Sequence, residues 1–476
     1  MTGYSRADHG GIATRTVPVS AVEPWTVLDA IDGQRIVWND PDGTTILAWG
    51  AVATLTASGP DRFETIRTDA ETLFRAMADH AGPEAARPRL FGGFAFYDED
   101  GEGPPWEAFP DARFVLPRVQ LTGTDEGTWL TVNAAEEGSA SPTETVGTRL
   151  EATTEWLHSV SENEGRSKAP GRSKAPGRSK ADGRSKADGR SAGDDRPGIL
   201  ETHRTTTRSA WHEAVTEATD RIAAGELEKV VLAQALEATL ASGISVPNTL
   251  SRLDRKYPDC FLFLVEPAKA PCWSFFGASP ERLLSLRGRT VETDVLAGTT
   301  GRGETAEEDE WLAEELLSDP KNSHEHELVA ETVREQLEPY VASLSVGDRR
   351  VKQLATVQHL HTPITAELER DEHVLTLVEA LHPTPAVGGL PPETALETIR
   401  RTERFDRGWY AAPIGWIDAA GDGSFAVALR SAAANDAVVR LFAGVGIVAD
   451  SDPDAEWDEI ELKYRPILDE LQRDDD

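Results

Sequence analysis

Residues 165–188 read GRSKAP twice and then GRSKAD twice, a six-residue tandem repeat that fades into GRSAGDDRPG. The tract is rich in Gly, Ser, Lys and Arg and has no aromatic or β-branched residue. It cannot bury enough surface to offset its ordering entropy, so a disordered linker over 161–198 is expected. A basic tether touching the acidic body or a nucleic acid is the lesser alternative. The period is too short for a solenoid. Any packed core must come from residues 1–160 and 199–476.

Those two stretches are long enough for it, and 39% of the chain is hydrophobic. The formal net charge is −34, from 82 acidic and 48 basic side chains spread through the whole chain. Such a surface repels nucleic acid and anionic membranes, so neither is expected as a partner. It is best tolerated where salt screens it, which points to a halophilic setting; a merely acidic mesophilic protein is the alternative. Cys260 and Cys272 give neither metal-ligand spacing nor a disulfide framework. The N-terminus has no apolar signal core, and no apolar run approaches the ~20 residues of a membrane span. A cytoplasmic protein is expected.

The first stretch reads as a β-rich part: QRIVWND, TTILAWGAVATLTA, LFGGFAFYD, RFVLPRVQLTG and GTWLTVNAA, with helices near 62–80 and 143–160. In the second, Ser209 is a candidate cap for a helix carrying Trp211, Val215, Ala218 and Ile222, ended by Gly225. Strands KVVLAQALEATL, CFLFLVEP, CWSFFGAS, RLLSLRG, TVETDVLAG, SFAVALRSA and AVVRLFAGVGIV follow, with helices at 305–318, 324–340, 392–401 and 453–472. Mixed elements with many antiparallel hairpins argue for an α+β fold of large, mostly antiparallel sheets flanked by helices.

The last helix carries the densest chemistry. Ser451 or Asp452 caps it and Pro453 suits its first turn. Glu456, Glu459 and Lys463 share one face, with Ile460 and Ile467 on or beside it, so that face points inward. A surface Glu459–Lys463 pair, worth only ~0.3–0.5 kcal/mol, is the plain alternative. Glu325 in KNSHEHELVAETV shares a face with Leu328, Val329 and Thr332; it is either an inward carboxylate or an acid at a helix N-terminus. Two inward carboxylates on separate helices make a partial oxygen cage for Mg²⁺, which takes one or two protein carboxylates plus substrate oxygens and water. His324 and His326 have no cysteine at zinc spacing.

In SFAVALRSA, Arg430 alternates with Ala426, Ala428 and Ala432, leaving room on one strand face for a carboxylate ligand; a surface arginine is the alternative. In LFAGVGIV, Gly444 and Gly446 either let a ligand approach the backbone or mark a bulge. Lys229 opens the apolar strand KVVLAQAL, where desolvation favours the neutral amine and a role as base; snorkelling to the surface is the alternative. Glu281, in FFGASPERLL, is either a surface acid beside Arg282 or a carboxyl in apolar company that holds its proton and acts as an acid.

Taken in order, KVVLAQ, FFGASPERLL, LAGTTGRG, KNSHEHELV, VQHL, HPTPAVGGLP, FDRGWYAAPIGW, FAVALRSA, RLFAGVGIV and ASDPDAEWDEIELK resemble the chorismate-utilising enzymes: isochorismate, salicylate, anthranilate and aminodeoxychorismate synthases. The resemblance covers 209–470. FGGFAFYDED and PWEAFPDARFVLPRV are similar to the N-terminal part of isochorismate synthases. It implies that Lys229 is the base that activates water and Glu281 the acid that protonates the leaving hydroxyl. Glu325 and Glu459 would hold Mg²⁺, with Glu456 beside them. Arg430, Lys463, Gly444 and Gly446 would hold the pyruvyl carboxylate of chorismate, and His359, Gly298 and Thr299 would line the pocket.

Aminodeoxychorismate synthases carry a nucleophilic lysine where this chain has Ala297. Ammonia-using members place a threonine where it has Ala386, as isochorismate synthases do. The resemblance therefore implies Mg²⁺-dependent conversion of chorismate to isochorismate, for menaquinone biosynthesis, by a monomer without a glutaminase subunit. A salicylate synthase, which goes on to eliminate pyruvate, is the alternative; an ammonia-using large subunit is a more distant one. Val295–Leu296 replaces the usual Pro-Ile, and the repeat at 165–188 is a further departure.

Overall fold

The computed structural model describes residues 11–77, 82–98, 101, 103–136, 141–167, 196–267 and 273–473. Among them, twenty strands form one network of antiparallel pairs, folded into two layers. The strands Thr45–Ala57 and Ala112–Thr124 are shared by both layers. They pair along their whole length, with a register shift between Ala51 and Ala53 beside Gly50, whose φ is +63°. An extra residue at such a point bends the ladder.

On one side of the bend, pairing runs through Arg35–Asn39, Phe261–Val265, Ser274–Ser279, Ser431–Asn435, Val438–Ile447 and Lys229–Leu240. On the other it runs through Arg89–Phe94, Pro413–Asp418, Gly423–Val427, Arg282–Arg287, Thr290–Gly301 and Val357–Leu368. Alternation of side chains across each strand sorts the core. Ile36, Trp38, Phe261, Phe263, Phe275 and Phe442 enter the cluster shared with the second layer. Val37, Leu262, Leu264, Phe276, Leu441 and Val445 pack instead beside helices Arg208–Ala223, Val246–Lys256 and Pro453–Leu468, through Trp211, Leu250 and Ile460. Helices Arg62–Arg75, Pro320–Leu337 and Val374–Leu381 cover the second layer. Each fully buried Leu or Phe adds ~1.5–3 kcal/mol by leaving water.

The α+β class is as expected, and most elements sit where the periodicity puts them. Helices Val246–Lys256 and Val374–Leu381 and the strand Val357–Leu368 are additional, the helix expected at 324–340 spans Pro320–Leu337, and that expected at 62–80 ends at Arg75. Three further details differ. Thr207, not Ser209, caps its helix, accepting from the Ala210 amide. SFAVALRSA is not one strand: Gly423–Val427 lies in one layer and Ser431–Asn435 in the other, and Arg430 (φ +48°) turns the corner between them. The expected alternation of Arg430 with Ala428 and Ala432 along one face is therefore replaced by a left-handed bend. The helix starting at Pro142 continues to Ser167, so residues 161–167 are helical rather than linker. The rest of the repeat, and Cys272, lie outside the described residues.

Strands of residues 1–160 and 199–476 hydrogen-bond to each other, Arg35–Asn39 to Phe261–Val265 and Arg89–Phe94 to Pro413–Asp418. The two stretches thus share one core. No helix among the described residues is long and apolar enough to cross a membrane.

Candidate active site

A cleft opens where the two layers meet, and every residue given a site role from the sequence lines it. On the strand Lys229–Leu240, Val230 and Leu232 point into the helix-covered core, which turns Lys229 and Val231 to the cleft. The Lys229 side chain is 1% exposed, so it does not snorkel, and its Nζ lies 2.8 Å from Oε1 of Glu325. The neighbouring strand makes room for this pair. Val445 and Ile447 face the helices, so Gly444 and Gly446 face the cleft. A Cβ on Gly446 would come within 2.6 Å of Glu325 Oε1 and 2.8 Å of Lys229 Cε. Burial works against ionisation of Glu325, but the charge and hydrogen bond of Lys229 outweigh it and hold the carboxylate below its ordinary range.

Glu281 sits between the strands Ser274–Ser279 and Arg282–Arg287, is 4% exposed, and is no surface acid. Burial pushes its carboxyl up to about 8; the positive charge of Lys229 is the strongest influence in the opposite direction. It is therefore protonated at neutral pH.

The last helix enters from the other side. Asp452 caps it by accepting from the Asp454 and Ala455 amides, and Pro453 opens it. Glu456, Glu459 and Lys463 turn to the cleft while Ile460 and Ile467 pack behind. Lys463 Nζ lies 2.7 Å from Glu459 and donates to the Gly444 carbonyl at 2.9 Å. Glu456 is raised by burial and then by the charge of Glu459, and Lys321 lies 3.3 Å from it. Glu325, Glu456 and Glu459 thus bring carboxylate oxygens to one cleft, each balanced by a lysine. Among the described residues no three His, Cys, Asp or Glu side chains form a cage by themselves. The donor type suits Mg²⁺, which needs only one or two protein carboxylates when substrate and water supply the rest.

Arg430 and His359 form another part of the cleft wall. Arg430 Nη2 donates to Nε2 of His359 at 3.3 Å, leaving the Nδ1 proton to Thr299 Oγ1 at 3.1 Å. Burial and the charge of Arg430 keep His359 neutral. Arg430 Nη1 is buried and makes no hydrogen bond within the protein. Gly298 (φ +82°) forms the bulge that brings Thr299 opposite His359. Ala297 and Ala386 also line the cleft.

Several cleft residues escaped the sequence analysis. Lys321 and Asn322 lie one turn before Glu325 on the same helix, a spacing of four that would have revealed the lysine. Tyr410 stacks on Phe442, with ring centroids 5.4 Å apart. Arg407 and Glu403 form a buried ion pair at 2.6 Å beneath the cleft. Arg407 donates to the carbonyls of Val387 and Val231, and Glu403 accepts from the Ala233 amide. The pair ties the Lys229 strand to the loop bearing Ala386; nothing in RTERFDRG announces such burial.

A cleft of this kind, set between two antiparallel layers and lined by these motifs, is the mark of one family. The family model described as chorismate binding enzyme matches residues 2–472, and the chain belongs to that family. Isochorismate synthase MenF of Bacillus subtilis is 34% identical over 449 residues, which cover 92% of this chain and 88% of that protein. The salicylate biosynthesis isochorismate synthase of Pseudomonas aeruginosa is 34% identical over 469 residues, 98% of this chain and 91% of that one. Among solved structures, MenF, the menaquinone-specific isochorismate synthase from Escherichia coli, matches with a TM-score of 0.74 at 26% identity, covering 97% of this chain and 95% of that one.

Proposed function

We propose that this chain is an isochorismate synthase acting in menaquinone biosynthesis. The observation that carries the chemistry is the pairing of Lys229 and Glu281, both buried and both lining one cleft. Glu281 keeps its proton at neutral pH and gives it to the hydroxyl that leaves C4 of chorismate as water. Lys229, as the neutral amine, takes a proton from the water that attacks C2. Glu325, 2.8 Å away, holds the Lys229 side chain in the cleft. Mg²⁺, held by Glu325 and Glu459 with Glu456 beside them, would supply positive charge to the ring carboxylate as the double bonds shift. Arg430, whose Nη1 has no partner within the protein, and Lys463 bind the pyruvyl carboxylate beside the backbone of Gly444 and Gly446. His359, Gly298 and Thr299 border the ring. Alanine at 297 and 386, both on the cleft wall, supports water rather than ammonia chemistry.

The long N-terminal part and the relation to menaquinone-specific MenF support the pathway. In this reading residues 199–476 bear the chemistry, 1–160 complete the fold, and the repeat between them lies outside the site. The protein works as a monomer in a cytoplasm salty enough to screen its −34 charge, without a glutaminase partner.

The test is incubation with chorismate and Mg²⁺, followed by chromatography of the products. Isochorismate alone is expected, and Lys229→Ala should lower its formation ~10²–10⁴-fold. Salicylate with pyruvate would make the protein a salicylate synthase, dependence on ammonia or glutamine would make it an amine-transferring one, and full turnover by Lys229→Ala would remove the base.

A further inference from the structure

The acids given to the metal site each meet a different ammonium. Glu325 meets Lys229 at 2.8 Å, Glu459 meets Lys463 at 2.7 Å, and Glu456 meets Lys321 at 3.3 Å. The guanidinium groups on the cleft wall are engaged elsewhere, Arg407 with Glu403 and Arg430 with His359. Two of the lysines have other work: Lys229 is the base, and Lys463 also donates to the Gly444 carbonyl. Lys321 has no part in the chemistry above.

Its own helix does not favour a lysine there. Asp319 caps Pro320–Leu337 and Pro320 opens it, so Lys321 stands in the first turn, where free backbone amides already concentrate positive charge. Glu325 follows one turn later on that helix, and a lysine ahead of a glutamate is the weaker order of such a pair. Its partner lies instead across the cleft. Lys321 Nζ donates to Oε1 of Glu456, an acid in the first turn of Pro453–Leu468. The two ends of this bond differ in freedom. The Glu456 side chain is 6% exposed and that of Lys321 35%. The carboxylate is fixed in the cleft, while the lysine, on a flexible four-carbon stem, can swing into water without any change in its helix.

We propose that Lys321 is a positioning residue for the metal site: its ammonium holds Glu456 in place before the ion arrives and then yields the carboxylate to Mg²⁺, so that it sets how tightly the ion binds. The inference rests on the Mg²⁺ site assigned above to Glu325 and Glu459 with Glu456 beside them. Lys321 and the ion compete for one carboxylate, and their like charges repel, so the lysine weakens binding.

Mn²⁺ is the probe, followed by electron paramagnetic resonance on the unliganded enzyme, with Mg²⁺ as competitor. Lys321→Gln should bind the ion roughly tenfold more tightly than the wild type, and Lys321→Arg should return to the wild-type value. At a fixed Mg²⁺ concentration the rise in thermal midpoint should also be larger in Lys321→Gln, since tighter binding to the folded state stabilises it more. Unchanged or weaker affinity in Lys321→Gln would overturn the inference and leave Lys321 as a structural partner of Glu456. Glu459→Gln separates the two levels. If it binds the ion as the wild type does, the metal site itself falls and this inference with it; if it binds more weakly while Lys321→Gln binds no tighter than the wild type, only the role of Lys321 falls.

Discussion

The Nζ of Lys229 and the Oε1 of Glu325 meet at 2.8 Å beside Gly446, where an added Cβ would crowd both side chains. Base and metal-binding candidate are therefore placed by a missing methyl group. Gly446→Ala should force the pair apart while leaving the strand pairing intact. Turnover is expected to fall about 10²-fold, as for a small misplacement of reacting groups, with little change in the unfolding midpoint. Steady-state kinetics beside thermal denaturation checks this, and wild-type turnover would mean the pair has slack to spare.

The state of Glu281 sets the alkaline side of the pH profile. Its carboxyl is raised to about 8 from the ordinary 4.5, so the folded enzyme holds the proton below about 8 and loses it above. Turnover should fall with rising pH through that range. Stability carries the same sign: the contribution of this buried neutral acid is complete below about 4.5 and disappears as pH rises through about 8. Rate measurements and denaturant titrations between roughly pH 4 and 9, which span the window this linkage defines, would show both trends.

Much of this site is written plainly in the sequence. Period-two alternation gives the inward face of KVVLAQAL and places Gly444 and Gly446 opposite it, and helical spacing puts Glu456, Glu459 and Lys463 together. The family resemblance then supplies the roles. Periodicity describes faces of single elements, so it fails where an element changes layer. Arg430 shows this: read as a strand residue, it is a corner between layers, and its reach into the cleft comes from its positive φ. Arg407 and Glu403 were hidden for a related reason, since paired charges in a loop sequence look like surface until the fold encloses them.

Removal of the divalent ion gives a separate prediction. Chelation by EDTA should abolish turnover and Mg²⁺ should restore it. Glu325→Ala and Glu459→Ala should each raise the Mg²⁺ needed for half-maximal rate more than tenfold. Glu325→Ala also leaves Lys229 buried without its partner, so its residual rate should not recover fully at saturating metal. Equal activity with and without EDTA would remove the ion from the reaction.

The Glu403–Arg407 pair makes a prediction about stability. Both side chains are nearly inaccessible, at 4% and 0% exposure. Arg407→Met leaves Glu403 buried without its counter-charge and strips donors from the Val231 and Val387 carbonyls, at a cost of ~3–5 kcal/mol. Arg407→Met with Glu403→Leu should recover a good part of that loss. Urea denaturation of the single and double variants measures the difference, and equal stability of the two would show that the carboxylate finds another partner.

The strands Thr45–Ala57 and Ala112–Thr124 run through both layers, and this leaves the molecule without a severable half. A gene fragment beginning after the repeat would still encode the residues assigned to catalysis, yet it would lack the beams on which both walls of the cleft hang. The polypeptide on either side of the repeat stands or falls together.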